Sequence, residues 1–129
     1  MPPDEPRLPL ISIHSYKGGV GKSTIAVLLG LALREKKRVC LVDCDLVAPG
    51  LHELLGVEQK RPAILDYLVA KPDEATRASA SEVCREVTPD LPGAGGRTLH
   101  LIGGAAELSE ARGVQAYLLA EARAGLLQA

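Results

Sequence analysis

The feature that most constrains this chain is the glycine-rich stretch from Lys17 to Thr24, which stands between a short apolar run and a long apolar segment. Glycines let the backbone adopt positive φ angles and let N–H groups approach phosphate oxygens without a Cβ in the way. A helix that begins near Lys22 presents further unpaired N–H groups and the positive end of its dipole to the same anion. The stretch therefore predicts a phosphate-binding loop between a strand and a helix.

The side chains at the end of this loop fit the same chemistry. Lys22 is placed to reach the β- and γ-phosphates of a nucleotide, and the Ser23 hydroxyl is placed to coordinate the Mg²⁺ that accompanies it. Thr24 adds a hydroxyl or N–H group near the α-phosphate. The usual pattern GxxxxGK[ST] is not met, because Tyr16 stands where its first glycine would be, and an extra lysine, Lys17, follows.

A dinucleotide-binding loop is the competing interpretation of the same glycines. Gly19 and Gly21 supply the GxG of that motif, and Asp43 ends the next predicted strand, where a ribose-binding acid would stand. Thr24, however, occupies the position of the third glycine, and the Lys-Ser pair before it has no task at a pyrophosphate. The sequence favours a mononucleotide loop and leaves the alternative open.

The order of the predicted elements points to an α/β fold. The patterns predict strands at 10–13, 39–42 and 99–102, helices at 22–36, 51–55, 63–70 and 108–127, a weakly helical charged segment at 73–88 and a loop at 89–96. Strands that alternate with helices form mostly parallel sheets, whose ligands bind at the carboxyl ends of the strands. Both chemically suggestive segments, 16–24 and 43–51, fall at that edge.

Composition narrows the class of protein. The 129 residues suffice for one domain, and a formal charge of −1 with 2% aromatics gives no support for a broad basic or base-stacking nucleic-acid surface. Residues 1–8 are predicted to be a flexible tail that is no signal peptide, and no segment is long enough to span a membrane. The cysteines Cys40, Cys44 and Cys84 form no CxxC motif, which indicates reduced thiols in a cytoplasmic protein.

Two segments together resemble a known family. Lys17–Thr24 resembles the deviant Walker A motif of the ParA/MinD superfamily of ATPases. Val39–Asp45, followed by Ala48–Leu51, is similar to the second strand and switch I of that superfamily. The resemblance implies a three-layer P-loop fold with a mostly parallel sheet, ATP and Mg²⁺ as ligands, and a homodimer that holds nucleotide at its interface.

The resemblance also implies roles for individual residues. Lys17 matches the signature lysine that reaches the partner's nucleotide, Lys22 the phosphate-binding lysine, and Asp45 the switch I aspartate that positions the attacking water, and these three form the implied catalytic set. Ser23 and Asp43 match the positions near the metal. The implied nucleotide-binding residues are Lys17, Gly18, Gly19, Val20, Gly21, Lys22, Ser23 and Thr24. Considered without the loop, the two aspartates fit a solvated turn equally well.

The sequence departs from the family pattern at two places. Partitioning members carry Asp-Pro-Gln-Gly where Asp45 is followed here by Leu46-Val47-Ala48-Pro49, so the cargo stays open among partitioning, positioning and related regulatory processes. No apolar strand after residue 104 ends in aspartate, so no Walker B acid is found. We therefore expect residues 9–129 to be the N-terminal part of a P-loop ATPase domain.

Alternative functions remain at this point. The chain alone fits a non-hydrolysing nucleotide-binding or interaction fragment, and the phosphate loop would also serve a P-loop kinase. ATP hydrolysis is expected of the complete protein, with an unknown protein partner. The sequence offers no support for DNA or membrane contact within this chain.

Overall fold

The computed structural model describes residues 9–68 and 78–104 of the chain. The elements in these ranges are α1 Lys22–Leu33, β1 Cys40–Val42, α2 Leu51–Leu55, α3 Ile64–Leu68, α4 Ala80–Val83, β2 Cys84–Val87 and β3 Leu99–Ile102. The described part combines helices with a small sheet, which agrees with the predicted α/β class.

The described strands form one mixed sheet with β3 in the middle, in the order β1-β3-β2. β1 pairs with β3 in parallel, with Leu41 opposite Leu101, and β2 pairs with β3 antiparallel, with Arg85 opposite Leu101. The parallel ladder is the one that the sequence predicts. The antiparallel ladder shows that the expectation of a mostly parallel sheet is only partly met in this part of the chain.

One face of the sheet carries the core. Leu99 and Leu101 alternate with half-buried neighbours along β3 and pack with Val27 of α1 and with Leu51 and Leu55 of α2. Each fully buried leucine contributes roughly 1.5–3 kcal/mol of transfer free energy. These contacts fix α1 and α2 against the strand ends and so fix the segments that connect them.

The apolar helix α1 lies close to β1. A Cβ built on Gly30 would stand 2.9 Å from Leu41 Cδ2, so the absence of a side chain there permits the close approach. The other end of α1 is held by Arg34, whose Nη1 donates to the Arg97 carbonyl oxygen at 2.7 Å. Contacts in the middle and at the C-terminal end of α1 therefore fix the position of the helix, whose N-terminus adjoins the glycine loop.

The predicted strand at 10–13 is wrong. Residues 9–15 have no strand assignment, and Leu10 and Ile11 are 91% and 59% exposed. The segment runs along a cavity whose opposite wall is β1, and it makes no backbone ladder in the described ranges. Apolar and β-branched residues favour a strand only where a neighbouring strand pairs with them, and no described strand does so here.

Of the other predicted helices and strands, some agree with the structure and others differ in their boundaries or their type. The strands at 39–42 and 99–102 and the helix at 51–55 are confirmed, and α1 ends at Leu33, three residues before the predicted boundary. In the segment predicted to be weakly helical, 73–88, residues 73–77 lie outside the described residues, and in the remainder the short helix α4 is followed directly by β2 at Cys84. The predicted tail at 1–8 and helix at 108–127 lie outside the described residues. Within the described ranges, no helix is both long and apolar enough to cross a membrane.

Candidate nucleotide-binding site

The glycine loop leaves an open cradle in front of α1. Gly19 and Gly21 have φ angles of 72° and 92°, a region that residues with a side chain rarely adopt. A Cβ built on either of them would meet no atom within 4 Å. The loop therefore uses glycine for its backbone conformation, and the space on its outer side is available to a ligand.

The N-terminus of α1 adds unpaired donors to this cradle. Gly21 is the N-cap in a left-handed conformation, and no side chain caps the helix. The first helical hydrogen bond runs from the Ile25 N–H group to the Gly21 carbonyl oxygen at 2.9 Å. The N–H groups of the first turn thus face outward at the positive end of a 12-residue helix, which is an arrangement that attracts anions.

Asp43 lies directly after β1 and is only 5% exposed. Its Oδ2 accepts hydrogen bonds from the N–H groups of Gly50 and Leu51, both at 3.0 Å, and its Oδ1 accepts one from Asp45 N–H at 3.1 Å. A buried carboxylate needs such donors to offset its desolvation. Asp43 therefore ties together the two ends of the segment from Asp45 to Leu51, which is named the switch loop below.

Asp45 is exposed, and its carboxylate bonds within the same loop. Its Oδ1 accepts hydrogen bonds from Val47 N–H at 3.2 Å and from Ala48 N–H at 2.9 Å. The side chain is consequently held by the loop that it belongs to. Any movement of the loop moves this carboxylate with it.

The end of β3 supports the switch loop from the other side, a feature that the sequence did not reveal. A Cβ on Gly104 would overlap the Pro49 side chain and lie 3.1 Å from the Asp45 carbonyl oxygen. Gln59 donates from Nε2 to the Gly104 carbonyl oxygen at 3.1 Å. The adjacent glycines at 103–104 are the sequence signal for this close contact. Nothing in the sequence marked Gln59.

A cavity of about 930 Å³ lies between the start of α1 and the end of β1. Its lining includes Lys22 and Ser23 from the start of α1 and Asp43 and Asp45 from the end of β1, together with the apolar segment 9–15. Its volume is within the range of small-molecule sites. The structure thus brings four of the predicted site residues to one cavity, whereas Lys17, Thr24 and the loop residues 18–21 stand outside its lining.

The oxygen donors at this cavity suit a hard divalent cation. The Ser23 hydroxyl and the exposed Asp45 carboxylate are ligands of the kind that Mg²⁺ prefers. Asp43 fits less well, because both of its oxygens already accept backbone hydrogen bonds. The described ranges contain no group of three or more His, Cys, Asp or Glu side chains arranged to hold a metal without further ligands.

Two of the cysteines contact each other across the sheet. Cys40 Sγ on β1 lies 3.8 Å from Cys84 Sγ on β2. Burial of the thiol, the neighbouring Cys84 and the contact between them raise the pKa of Cys40 to about 12. Cys84 is opposite Ile102, next to the end of β1, and Cys40 also lines the cavity. Neither thiol has a role in the proposed phosphate chemistry.

Comparisons with known proteins agree with the geometry of the loop. The "Iron-sulfur cluster carrier protein" of Haemophilus influenzae is 37% identical over 57% of this chain and 20% of its own length. The Escherichia coli K12 protein of the same name is 45% identical over 44% of this chain and 16% of its own length. The human "Cytosolic Fe-S cluster assembly factor NUBP2" is 38% identical over 51% of this chain and 32% of its own length.

The chain thus spans at most about a third of these relatives, and no solved structure matches it. A family model for the ParA family, described as "NUBPL iron-transfer P-loop NTPase", matches residues 9–82, which is more than half of the chain. The match includes the glycine loop, α1, β1 and the whole switch loop. The chain therefore belongs to the ParA family of NUBPL-type iron-transfer P-loop NTPases.

Proposed function

We propose that this chain forms the nucleotide-binding part of an ATP-dependent iron–sulfur cluster carrier or assembly factor. The observation that carries the proposal is the open glycine cradle at the start of α1, which stands beside a cavity lined by Lys22, Ser23 and Asp45. The proposed cargo, an iron–sulfur cluster, is taken from the names of the similar proteins, which describe iron–sulfur cluster carriers and assembly factors. They give no support for the partitioning or positioning role left open by the sequence.

Each residue of the cradle has a task in binding the triphosphate. The N–H groups of the glycine loop and the first turn of α1 donate to phosphate oxygens, and the Lys22 ammonium neutralises the charge of the terminal phosphates. Ser23 and Asp45 would hold a Mg²⁺ ion, which would supply positive charge to offset the negative charge of the phosphates. Asp43 acts through the switch loop, as argued in the next subsection.

Hydrolysis is the second part of the proposal. Asp45 is exposed at the rim of the cavity, and its Oδ1 is oriented by two backbone N–H groups. A carboxylate held in this way can accept a hydrogen bond from a water molecule that attacks the terminal phosphate. Phosphate release that is present in the wild-type protein and lost in Asp45→Ala would support hydrolysis. ATP binding without release would favour a non-hydrolysing nucleotide-binding unit instead.

The proposal extends to a second copy of the chain and to the complete fold. Lys17 is exposed and stands outside the cavity, so it is free to reach the nucleotide of a partner protomer. Residues 9–129 would belong to a three-layer P-loop domain with a mostly parallel sheet, in a protein of the cytoplasm. The longer relatives make the activity of the whole protein a matter for experiments on the full-length form.

Calorimetry with ATP and Mg²⁺ tests the binding claim. The Lys22→Ala variant is expected to lose measurable affinity, because it removes the ammonium group that directly follows the glycine loop and lines the cavity at the start of α1. Lys37→Ala is the matched control, since Lys37 is an exposed lysine beyond the end of α1. An unchanged ATP affinity in folded Lys22→Ala protein would overturn the proposal.

A further inference from the structure

We infer that Asp43 is a positioning residue: its buried carboxylate clamps both ends of the switch loop and thereby sets the place of Asp45. The inference deepens the proposed function, because the positioned residue is the one assigned to the attacking water. It also revises the sequence-based expectation that placed Asp43 among the metal ligands.

The first argument is the use of the carboxylate's acceptor capacity. An ionised carboxylate offers about four lone-pair directions. Three N–H groups occupy three of these directions: those of Gly50 and Leu51 on Oδ2, and that of Asp45 on Oδ1, where one direction stays open. A direct bond from Oδ2 to a cation would require the loss of a backbone hydrogen bond from a side chain that is 5% exposed. The geometry suits a structural anion better than a ligand.

The second argument is where these donors lie along the chain. One is at the first residue of the switch loop, Asp45, and two are at its end, Gly50 and Leu51. The Asp43 carboxylate therefore holds the two ends of the switch loop together, and these three hydrogen bonds are called the Asp43 staple below. Between the ends, Asp45 Oδ1 holds Val47 and Ala48, so the whole segment is organised by two aspartates acting in series.

The third argument is that both Asp43 and the loop are attached to the end of β3. The Asp43 N–H group donates to the Ile102 carbonyl oxygen at 2.9 Å. Pro49 of the loop contacts Gly104, two residues further along the chain. Removal of the Asp43 carboxylate therefore takes away the hydrogen bonds at both ends of the loop and leaves the contact of Pro49 with Gly104.

Amide hydrogen exchange tests the staple without nucleotide or Mg²⁺. In Asp43→Ala, the Gly50 and Leu51 amides are expected to exchange about tenfold faster or more, because their acceptor is gone. Asp43→Asn keeps the shape of the side chain, but its NH₂ group cannot accept a hydrogen bond, so an intermediate acceleration is expected. If Asp43→Ala does not fold, Asp43→Asn decides the matter.

Asp45→Asn is the matched control for this experiment. It alters the acceptor of Val47 and Ala48 and is expected to leave the Gly50 and Leu51 amides within about twofold of wild type. Amides of β3 report whether each variant is folded. Unchanged exchange at Gly50 and Leu51 in folded Asp43→Asn would overturn the inference.

Nucleotide titrations separate a positioning role from a metal-ligand role. A positioning residue that acts through Asp45 lowers the ratio of the ATP dissociation constants in EDTA and with Mg²⁺ by no more than Asp45→Asn does, and the double variant loses no more than Asp45→Asn alone. A loss in Asp43→Asn about tenfold greater than the loss in Asp45→Asn would show that Asp43 ligates the metal directly and would overturn the inference. Absence of ATP binding by the wild-type protein would refute the proposed function alone, since the exchange experiment requires no nucleotide.

Discussion

Replacement of Gly104 by alanine is the sharpest test of how the switch loop is seated. Gly104 is buried, and its φ angle is not positive, so alanine can adopt the backbone conformation without strain. The added Cβ would overlap the Pro49 Cβ and lie 3.1 Å from the Asp45 carbonyl oxygen. The cost therefore comes from space alone, and the loop must shift or the fold must lose stability.

The expected magnitude follows from the atoms that must move. Overpacking of a close-packed region by one methyl group costs typically 1–3 kcal/mol, and a backbone neighbour yields less readily than the end of a side chain, so we expect about 2 kcal/mol. Urea denaturation of the full chain measures this as a lower midpoint at constant slope. Gly103→Ala is the matched control, because the three atoms nearest to its new Cβ all belong to the flexible end of the Gln59 side chain.

A double-mutant cycle with Pro49→Gly identifies the cause. Pro49→Gly removes the Cβ that the new methyl group would strike, so the second substitution should recover a large part of the lost stability. We expect a coupling of about 1 kcal/mol or more between the two positions. Gly104→Ala with wild-type stability, or a coupling near zero, would refute the claim that Gly104 seats the loop.

Three further predictions concern other parts of the chain. Lys17→Ala is expected to retain ATP binding but lose any nucleotide-dependent dimer in sedimentation, and a dimer that persists would contradict the role of Lys17 across the interface. Cys40 should react with iodoacetamide at pH 8 about tenfold or more slowly than free cysteine, because a pKa near 12 leaves little thiolate. The Cys84→Ser variant should raise the reaction rate of Cys40. A rate equal to that of free cysteine would refute the raised pKa. Hydrogen bonds from Ser79 lower the pKa of Glu82 below its ordinary 4.5. The ionised Glu82 carboxylate therefore contributes to stability above pH 4.5, and this contribution is lost as the pH falls through the lowered pKa. A Glu82→Gln variant whose stability depends on acid pH in the same way as that of the wild type would contradict this.

The parts of the fold that the sequence predicted well are those with local causes. Gly19, Gly21 and Lys22 predict the phosphate loop, and the apolar run that follows it forms α1 as expected. β1 and β3 are short apolar runs that pair in parallel, as the order of elements indicates. In each case the residue pattern alone carries the information.

The misses have causes that lie elsewhere in the chain. The segment 10–13 has strand-like residues, but strand formation depends on a hydrogen-bonded neighbour that no described strand provides. β2 was missed because Arg85 and Glu86 hide its strand character, and its pairing with β3 is a long-range contact. The sequence predicts Asp43 and Asp45 at the carboxyl end of β1, where they lie. It does not show that Asp43 is buried and bonded to backbone N–H groups while Asp45 is exposed, and this difference separates their proposed roles.

The central claim is that the N–H groups of the glycine loop receive the phosphates of a nucleotide. Amide exchange of residues 18–24, compared with ATP and with adenosine at saturating concentration in the presence of Mg²⁺, tests it most directly. The account predicts that ATP slows the exchange of these amides and that adenosine, which has no phosphates, leaves them unchanged. Bound ATP that leaves the exchange of residues 18–24 unaltered would contradict it.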